Sequence, residues 1–170
     1  MTTISMGRYR SPMGELLLAW AGGKLISLDY PDFEERFHRL LRKRFAKAEV
    51  HEAEIPPGVV EALDRYFAGE TGAVDGLAVE FAGTEFENRV WQALRGIGPG
   101  ETATYGELAA AIDAPKAARA VGRANSMNPV AIVVPCHRVI GANAKLTGYA
   151  GGLERKRWLL EHEQRWIPGR

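Results

Sequence analysis

Residues 104–127 read TYGELAAAIDAPKAARAVGRANSM and contain the signals of two short helices joined by a tight turn. Thr104, followed three residues later by Glu107, forms a capping box that predicts the start of the first helix. Pro115 suits the first position of the second helix, which we expect to run to about Met127. Two short helices in this order are typical of a helix-turn-helix, although many small helical proteins contain the same corner.

The predicted second helix is rich in small residues. Ala117, Ala118 and Gly122 would let a partner approach the backbone closely. Arg119 and Arg123 are four residues apart on one face, and arginines contact phosphates or bases. The alternative is a helix packed against another helix with two solvated arginines, and composition alone slightly favours it.

The first third of the chain predicts a small antiparallel meander followed by helices. Three short runs separated by turn residues predict the strands, at 4–9, 15–20 and 24–30. Apolar residues at helical spacing from Phe33 to Phe45 predict a helix, and residues 59–67 predict another. The Gly-rich stretch 69–83 predicts a linker. We therefore expect an N-terminal α/β domain with its linker over 1–83 and a C-terminal domain over 84–170.

Two further helices are predicted in the second half. Thr84 and Glu87 form a capping box, and Gly98-Pro99-Gly100 ends the helix that follows it. Residues 153–163 predict the last helix, with three inward-facing side chains: Trp158, Leu159 and Leu160.

Length and composition narrow the classes of protein. The chain has 170 residues, 46% of them hydrophobic, so one domain with a smaller lobe is feasible. The net charge of +1 gives no global signal for nucleic acid. A single cysteine cannot form an internal disulfide, which fits a reducing compartment and predicts a cytoplasmic protein. No apolar run approaches the roughly 20 residues of a membrane span.

Neither a metal nor a cofactor is predicted. The four histidines and the cysteine are scattered, and their spacing does not match a zinc site. The glycines of residues 148–152 lack the lysine of a phosphate-binding loop.

The single cysteine, Cys136, lies between Pro135 and the pair His137 and Arg138. A lone cysteine is usually a small buried hydrophobe. Here the apolar run 130–134 predicts a buried strand or extended segment that delivers the thiol to a site. An imidazole can take the thiol proton, and the thiolate is the nucleophile. Adjacent residues of a strand point to opposite faces, so contact between these two side chains requires a turn or a helix start.

A Cys–His nucleophile usually has a third group that orients the imidazole. Glu161 and Glu163 are candidates on the last predicted helix. For either carboxylate the alternative is an exposed helix charge, and the residues alone do not decide between them.

The run 128–140, NPVAIVVPCHRVI, closely resembles the active-site segment of O6-alkylguanine-DNA alkyltransferases. The similarity extends through residues 104–106, 117–122 and 147–152, and it covers roughly residues 84–163. The first half matches this family only in its layout.

The resemblance implies an α+β fold: a small N-terminal α/β lobe with an antiparallel sheet, and a mainly helical C-terminal domain with a helix-turn-helix. The second helix of that motif would enter the minor groove of double-stranded DNA that carries O6-alkylguanine. Arg119 would fill the gap left in the base stack when the damaged nucleotide is flipped into the protein. Arg123 and Lys116 would add salt-sensitive contacts to the DNA.

The resemblance also implies catalytic roles. Cys136 would be the nucleophile and alkyl acceptor. His137 would act as base through a bridging water, and Glu163 would orient it. Asn128 would connect the helix-turn-helix to the active-site turn. Tyr105 would donate to the flipped guanine as its leaving oxygen or ring nitrogen gains charge.

Further residues would form the substrate pocket. The backbone carbonyls of the nucleophile and of Val139 would accept from the exocyclic amine of guanine. Tyr149 would help to form the wall, and the N–H of Ala150 would face the O6 atom. Ala131 and Ala150 stand where some members have Pro and Ser, and they would widen the pocket. Arg138 would hold the two domains together.

The implied chemistry is a one-step displacement that consumes the protein, with O4-alkylthymine as a possible second substrate. The protein would act as a monomer without metal or cofactor. Three alternatives are a non-enzymatic sensor of alkylated DNA, a cysteine hydrolase and a DNA-binding regulator with an incidental thiol. Cys136 argues against the sensor, because such proteins replace the nucleophile. A hydrolase would differ by turning over its substrate repeatedly. Against a regulator, the second helix has few side chains that could read base edges.

Overall fold

The computed structural model describes residues 3–142, 146 and 148–165. Thr147, part of the segment that carries the resemblance, lies outside them. The chain divides into two compact units, Met1–Ala82 and Gly83–Arg170. Within the described residues, no helix is long and apolar enough to cross a membrane.

The N-terminal unit contains a four-stranded sheet in the order β3-β2-β1-β4. The predicted meander is confirmed, because β1 (Thr3–Ser11), β2 (Gly14–Ala21) and β3 (Lys24–Asp29) pair antiparallel in sequence. The fourth strand, β4 (Glu49–Glu52), pairs parallel to β1. It was not predicted, because all four of its residues are exposed and it therefore has no buried apolar alternation.

Two helices complete this unit: α1 (Glu34–Arg44), which follows a 3-10 turn, and α2 (Pro57–Phe67). The apolar stripe of α1 places Phe37 and Leu41 in the core under the sheet. Burying a side chain of this size contributes about 1.5–3 kcal/mol.

The C-terminal unit contains four α-helices among its described residues: α3 (Glu85–Leu94), α4 (Tyr105–Ala111), α5 (Ala118–Ser126) and α6 (Leu153–Arg165). Two short strands, β5 (Ala103–Thr104) and β6 (Val139–Ile140), pair in parallel. Both predicted capping boxes are confirmed. At the second, Thr104 Oγ1 accepts from Glu107 N–H (3.0 Å), and Glu107 Oε1 accepts from Thr104 N–H (3.0 Å).

The start of α5 differs from the prediction. Pro115 does not open the helix, which begins at Ala118. Asp113 has a φ of 59° and reverses the chain after α4. The N–H of Ala117 then bonds to Ala114 O (2.8 Å) and closes a separate turn, so that helical geometry begins three residues later than expected.

A buried tryptophan fixes α5 against its neighbour. Trp91 on α3 is fully buried, and its Nε1 donates to Ala124 O on α5 (2.8 Å). The α4–α5 pair packs against α3 and keeps the outer face of α5 open, with Arg119 and Arg123 exposed.

Candidate active site

The segment before the cysteine is a buried turn, so the strand or extended run predicted over 130–134 is wrong. The N–H of Val134 donates to Val130 O (2.9 Å) and closes a single turn. Ile132 adopts a φ of 72°, which β-branched residues rarely do. All five residues of the segment are buried.

Asn128 holds this turn with both ends of its amide. Its Nδ2 donates to Val134 O (2.8 Å), and its Oδ1 accepts from Val130 N–H (3.0 Å). These bonds satisfy backbone groups that would otherwise need a neighbouring strand, which is why a turn replaces the predicted strand. Because α5 ends at Ser126, Asn128 lies where the helix passes into the turn.

The cysteine opens a short 3-10 helix, Cys136–Arg138, so the turn required for Cys136 and His137 is present. The N–H of Val139 caps it by donating to Cys136 O. Asn125 on α5 places its Nδ2 3.5 Å from the same oxygen. The thiol is 5% exposed.

The other two residues of this 3-10 helix, His137 and Arg138, belong to a buried network centred on Glu163 of α6. Glu163 Oε2 is 2.7 Å from His137 Nε2, and both side chains are fully buried. Arg138 donates to the same carboxylate through Nε (2.8 Å) and Nη2 (3.0 Å), and through Nη1 to Ile97 O (2.6 Å). These bonds lie within the C-terminal unit, and the predicted role of Arg138 in joining two domains stays a prediction.

The charges of this network assign the hydrogens of the imidazole. Burial opposes ionisation of Glu163, but the charges and hydrogen bonds of His137 and Arg138 outweigh it and lower the pKa of the carboxyl. Burial also lowers the pKa of His137, despite the opposing effect of Glu163. The imidazole is therefore neutral at pH 7, and it carries the charge that acts on Glu163 only in acid. An ionised carboxylate can only accept, so Nε2 carries the hydrogen and Nδ1 keeps a lone pair.

The Nδ1 atom of His137 is buried, and no described residue gives it a hydrogen-bond partner. A basic nitrogen with an unused lone pair is suited to accept a proton, directly or through water.

Several groups act on the thiol itself. Burial raises the pKa of Cys136, while a hydrogen bond from Asn128, the charge of Lys156 and a hydrogen bond from Tyr149 lower it in part. Tyr149 is partly buried, and its place at the pocket wall stays a prediction.

Lys156 of α6 is a residue that the sequence analysis missed. It is fully buried, and its Nζ donates to Val139 O (2.5 Å). The predicted inward face of α6 was partly wrong, because Trp158 and Leu160 are only half-buried, while Leu159 and Glu163 are fully buried. The spacing of Lys156 from Leu159 and Glu163 was a usable signal, but lysines on helices are usually solvated.

The remaining predicted residues are distributed as follows. Tyr105 opens α4, and its ring lies 3.7 Å from the position that a Cβ at Gly122 would occupy. Of the predicted DNA-contacting residues, Lys116 is exposed beside the two arginines of α5, while Ala117 and Ala118 are half-buried. Of the pocket residues, three complete the set: Ala131 and Val139, which are buried, and Ala150, which is half-buried.

Comparison with known proteins identifies the family. A family model, the DNA-binding domain of 6-O-methylguanine DNA methyltransferase, matches residues 85–165. The methylated-DNA–protein-cysteine methyltransferase of Mycobacterium tuberculosis (strain ATCC 25618 / H37Rv) is 48% identical over 161 residues, which cover 93% of this chain and 91% of the relative. The chain belongs to this family. The relative from Salmonella typhimurium (strain LT2) is also 48% identical, over 82% of this chain and 83% of the relative. The expected class of enzyme is thereby confirmed.

Solved structures of the family agree. Mycobacterium tuberculosis OGT in complex with DNA is 43% identical, with a TM-score of 0.79 over 98% of this chain and 96% of that one. The O6-methylguanine-DNA methyltransferase of Pyrococcus kodakaraensis is 26% identical, with a TM-score of 0.73 over 94% of this chain and 98% of that one. These similarities confirm the predicted α+β fold.

Proposed function

We propose that this protein repairs double-stranded DNA by moving an alkyl group from guanine O6, and from thymine O4 as a second substrate, to Cys136 in a single turnover. The observation that carries the proposal is the thiol at the start of a buried turn, backed by His137 and Glu163, in a chain of this family. The protein would act as a monomer, in a reducing compartment such as the cytoplasm.

Burial raises the pKa of the Cys136 thiol, so the reaction requires a proton acceptor. His137 fills this role in the proposal, because its Nδ1 has an unused lone pair and its Nε2–H is held by Glu163. A bridging water would carry the proton from Sγ to Nδ1. Glu163 keeps the ring in the tautomer that can accept.

The transfer itself is a displacement at the alkyl carbon. A bond forms from Sγ to that carbon while the bond from carbon to O6 breaks, and the electron pair leaves with the guanine. Tyr105 donates a proton to the departing base. The product is a thioether, whose carbon–sulfur bond is stable, so each protein molecule would react once.

Access to the thiol requires the base to leave the helix. Cys136 is 5% exposed, and a base within a duplex cannot reach it, which supports extrusion of the nucleotide into the protein. The open face of α5 offers Arg119 and Arg123 for contact with the minor groove, and Gly122 allows a close approach. Arg119 would occupy the space that the extruded base leaves.

Intact-protein mass spectrometry tests the proposal. The protein is incubated with a duplex that contains one O6-methylguanine, and in parallel with the undamaged duplex. We expect a gain of one methyl group per molecule, mapped to Cys136 and absent from Cys136→Ala. An unchanged mass with tight binding to the damaged duplex would instead identify a damage sensor, and methyl release with repeated turnover would identify a hydrolase.

The width of the pocket is a separate part of the proposal. The small side chains of Ala131 and Ala150 would admit bulky alkyl groups. Competition between O6-benzylguanine and O6-methylguanine substrates measures this, and no reaction with the benzyl group would contradict a wide pocket.

A further inference from the structure

A fully buried lysine lies beside the thiol turn and has no part in the proton transfer described above. Lys156 reaches from α6 to Val139, where its Nζ is 2.5 Å from the carbonyl oxygen. Lysine is among the residues least often fully buried, because removing its ammonium from water costs free energy. A buried lysine therefore requires an explanation in terms of what it binds.

The backbone oxygen that Lys156 binds ends the turn that carries the nucleophile. Cys136 and Val139 are the first residue of the 3-10 helix and the residue that caps it, and the N–H of the second donates to the oxygen of the first. Their two carbonyls are the proposed acceptors for the exocyclic amine of guanine. Each of them faces a buried side chain from a different helix: Asn125 of α5 at 3.5 Å and Lys156 of α6 at 2.5 Å.

A carbonyl oxygen has two lone pairs. A donor on one of them fixes the plane of the peptide group and leaves the other directed at a second donor. Val139 also begins β6, whose pairing with β5 holds the chain at this point. Without the bond from Lys156, the direction of the Val139 carbonyl would depend on the backbone alone. The bond from Lys156 is the shorter of the two, and a charged donor binds more strongly than a neutral amide.

We infer that Lys156 is a positioning residue for base selection: it aims the Val139 carbonyl at the 2-amino group of an O6-alkylated purine. The inference rests on the proposed function. It assigns the preference for guanine over purines without that amine to a side chain that never touches the substrate.

A different role for Lys156 makes a different prediction. Its positive charge also lowers the pKa of Cys136. If this were its whole contribution, replacing it would slow every substrate by the same factor, because the thiol is common to all reactions. Positioning of Val139 instead affects only substrates that carry the amine.

The test compares two free bases that differ in this one group: O6-benzylguanine and 6-benzyloxypurine, which lacks the 2-amino group. The rate of benzyl transfer to Cys136 is measured by intact mass for the wild type, Lys156→Met, Lys156→Arg and Arg157→Met. Arg157 is exposed on the same helix and serves as the matched control. Circular dichroism and thermal denaturation establish that each variant is folded.

We expect Lys156→Met to reduce the preference for O6-benzylguanine by about tenfold, the value of one well-placed hydrogen bond. Lys156→Arg, which keeps a charged donor, should retain most of the preference, and Arg157→Met should retain all of it. The inference would be overturned if folded Lys156→Met reacted with both bases more slowly by the same factor, or if its preference for O6-benzylguanine were unchanged.

Two further outcomes are covered. If Lys156→Met does not fold, the ratio of the two rates is measured for Lys156→Gln instead. The glutamine amide is polar, but its side chain is one bond too short to reach Val139. An unchanged ratio in this variant refutes the inference. If the wild type reacts with neither base nor with alkylated DNA, the proposed function fails and the inference falls with it. If the wild type reacts but the ratio of the two rates is the same in the Lys156 variants, the inference fails and the proposed function stands.

Discussion

Replacing Glu163 by glutamine would disturb the most heavily bonded side chain of the site. The carboxylate accepts from His137 Nε2 (2.7 Å) and from Arg138 Nε and Nη2 (2.8 and 3.0 Å), and it is fully buried. Glutamine has the same shape but one acceptor oxygen, and its amide nitrogen would face a donor. At least one hydrogen bond becomes a contact between two donors, and Arg138 loses its counter-charge.

Removing one partner of a buried ion pair costs about 3–5 kcal/mol. An amide oxygen at the Oε2 position of Glu163→Gln can keep two of the three bonds, so we expect a loss near the lower value, about 3 kcal/mol. For a chain of this size such a loss lowers the Tm by roughly 6–12 °C. Equilibrium urea denaturation at pH 7 measures it, with Glu161→Gln as the control, because Glu161 is exposed on the same helix.

The pH dependence follows from the sign of the pKa shift. The folded protein holds the pKa of Glu163 below its ordinary value, with burial opposed and outweighed by His137 and Arg138. Its contribution to stability is therefore present above the ordinary carboxyl pKa of about 4.3 and is lost as the pH falls below it. The difference in unfolding free energy between the wild type and Glu163→Gln should shrink as the pH falls below about 4.

The same substitution should slow alkyl transfer. Without the carboxylate, the Nε2–H tautomer of His137 is no longer favoured, and general base catalysis of this kind contributes about a hundredfold or more. The rate of alkyl transfer is measured by quenching reactions with an O6-methylguanine duplex at a series of times. An unfolding free energy within 1 kcal/mol of the wild type, together with a rate within about threefold, would refute this account of the network.

Three other substitutions test separate parts of the structure. Asn128→Ala leaves the buried N–H of Val130 without a partner, while Val134 O keeps its bond from Cys136 N–H (2.8 Å). We therefore expect about 1–3 kcal/mol lower stability by denaturation and slower transfer, whereas an unchanged stability would show that the turn does not depend on Asn128. Gly122→Ala should gain up to about 1 kcal/mol of stability, because its Cβ would meet the Tyr105 ring at an ordinary contact distance of 3.7 Å. The same variant should bind DNA more weakly, and an unchanged affinity would mean that DNA does not approach Gly122. Arg123→Ala should reduce the slope of log affinity against log salt by about 1 without changing the Tm, and an unaltered slope would mean that Arg123 makes no phosphate contact.

Local signals in the sequence predicted local structure well. The two capping boxes at Thr84 and Thr104 depend on residues three positions apart, and both helices begin there. The meander was equally predictable from turn residues and apolar runs. The strand β4 was not, because an exposed edge strand has no buried alternation, and its pairing with β1 depends on residues more than forty positions away.

The active site shows the same division. The sequence pattern alone did not distinguish Glu161 from Glu163 as the residue that orients His137. The family resemblance selected Glu163, which the structure places 2.7 Å from His137. The apolar run before the cysteine suggested a strand, since nothing local reveals that the amide of Asn128 closes it into a turn. Lys156 could not be recognised as buried from residue type, because its environment is created by the turn at Val139.

The burial of the thiol also determines how long the protein remains useful before it meets a lesion. If the proposed single-turnover reaction holds, an oxidant or electrophile that modifies Cys136 before a lesion does would inactivate the molecule permanently. With 5% of its surface accessible and its pKa raised by burial, Cys136 is shielded from such reagents in the resting protein. The burial that limits access to the thiol thus also protects it from modification. Under the proposed reaction, the number of unmodified molecules would set how many lesions can be removed.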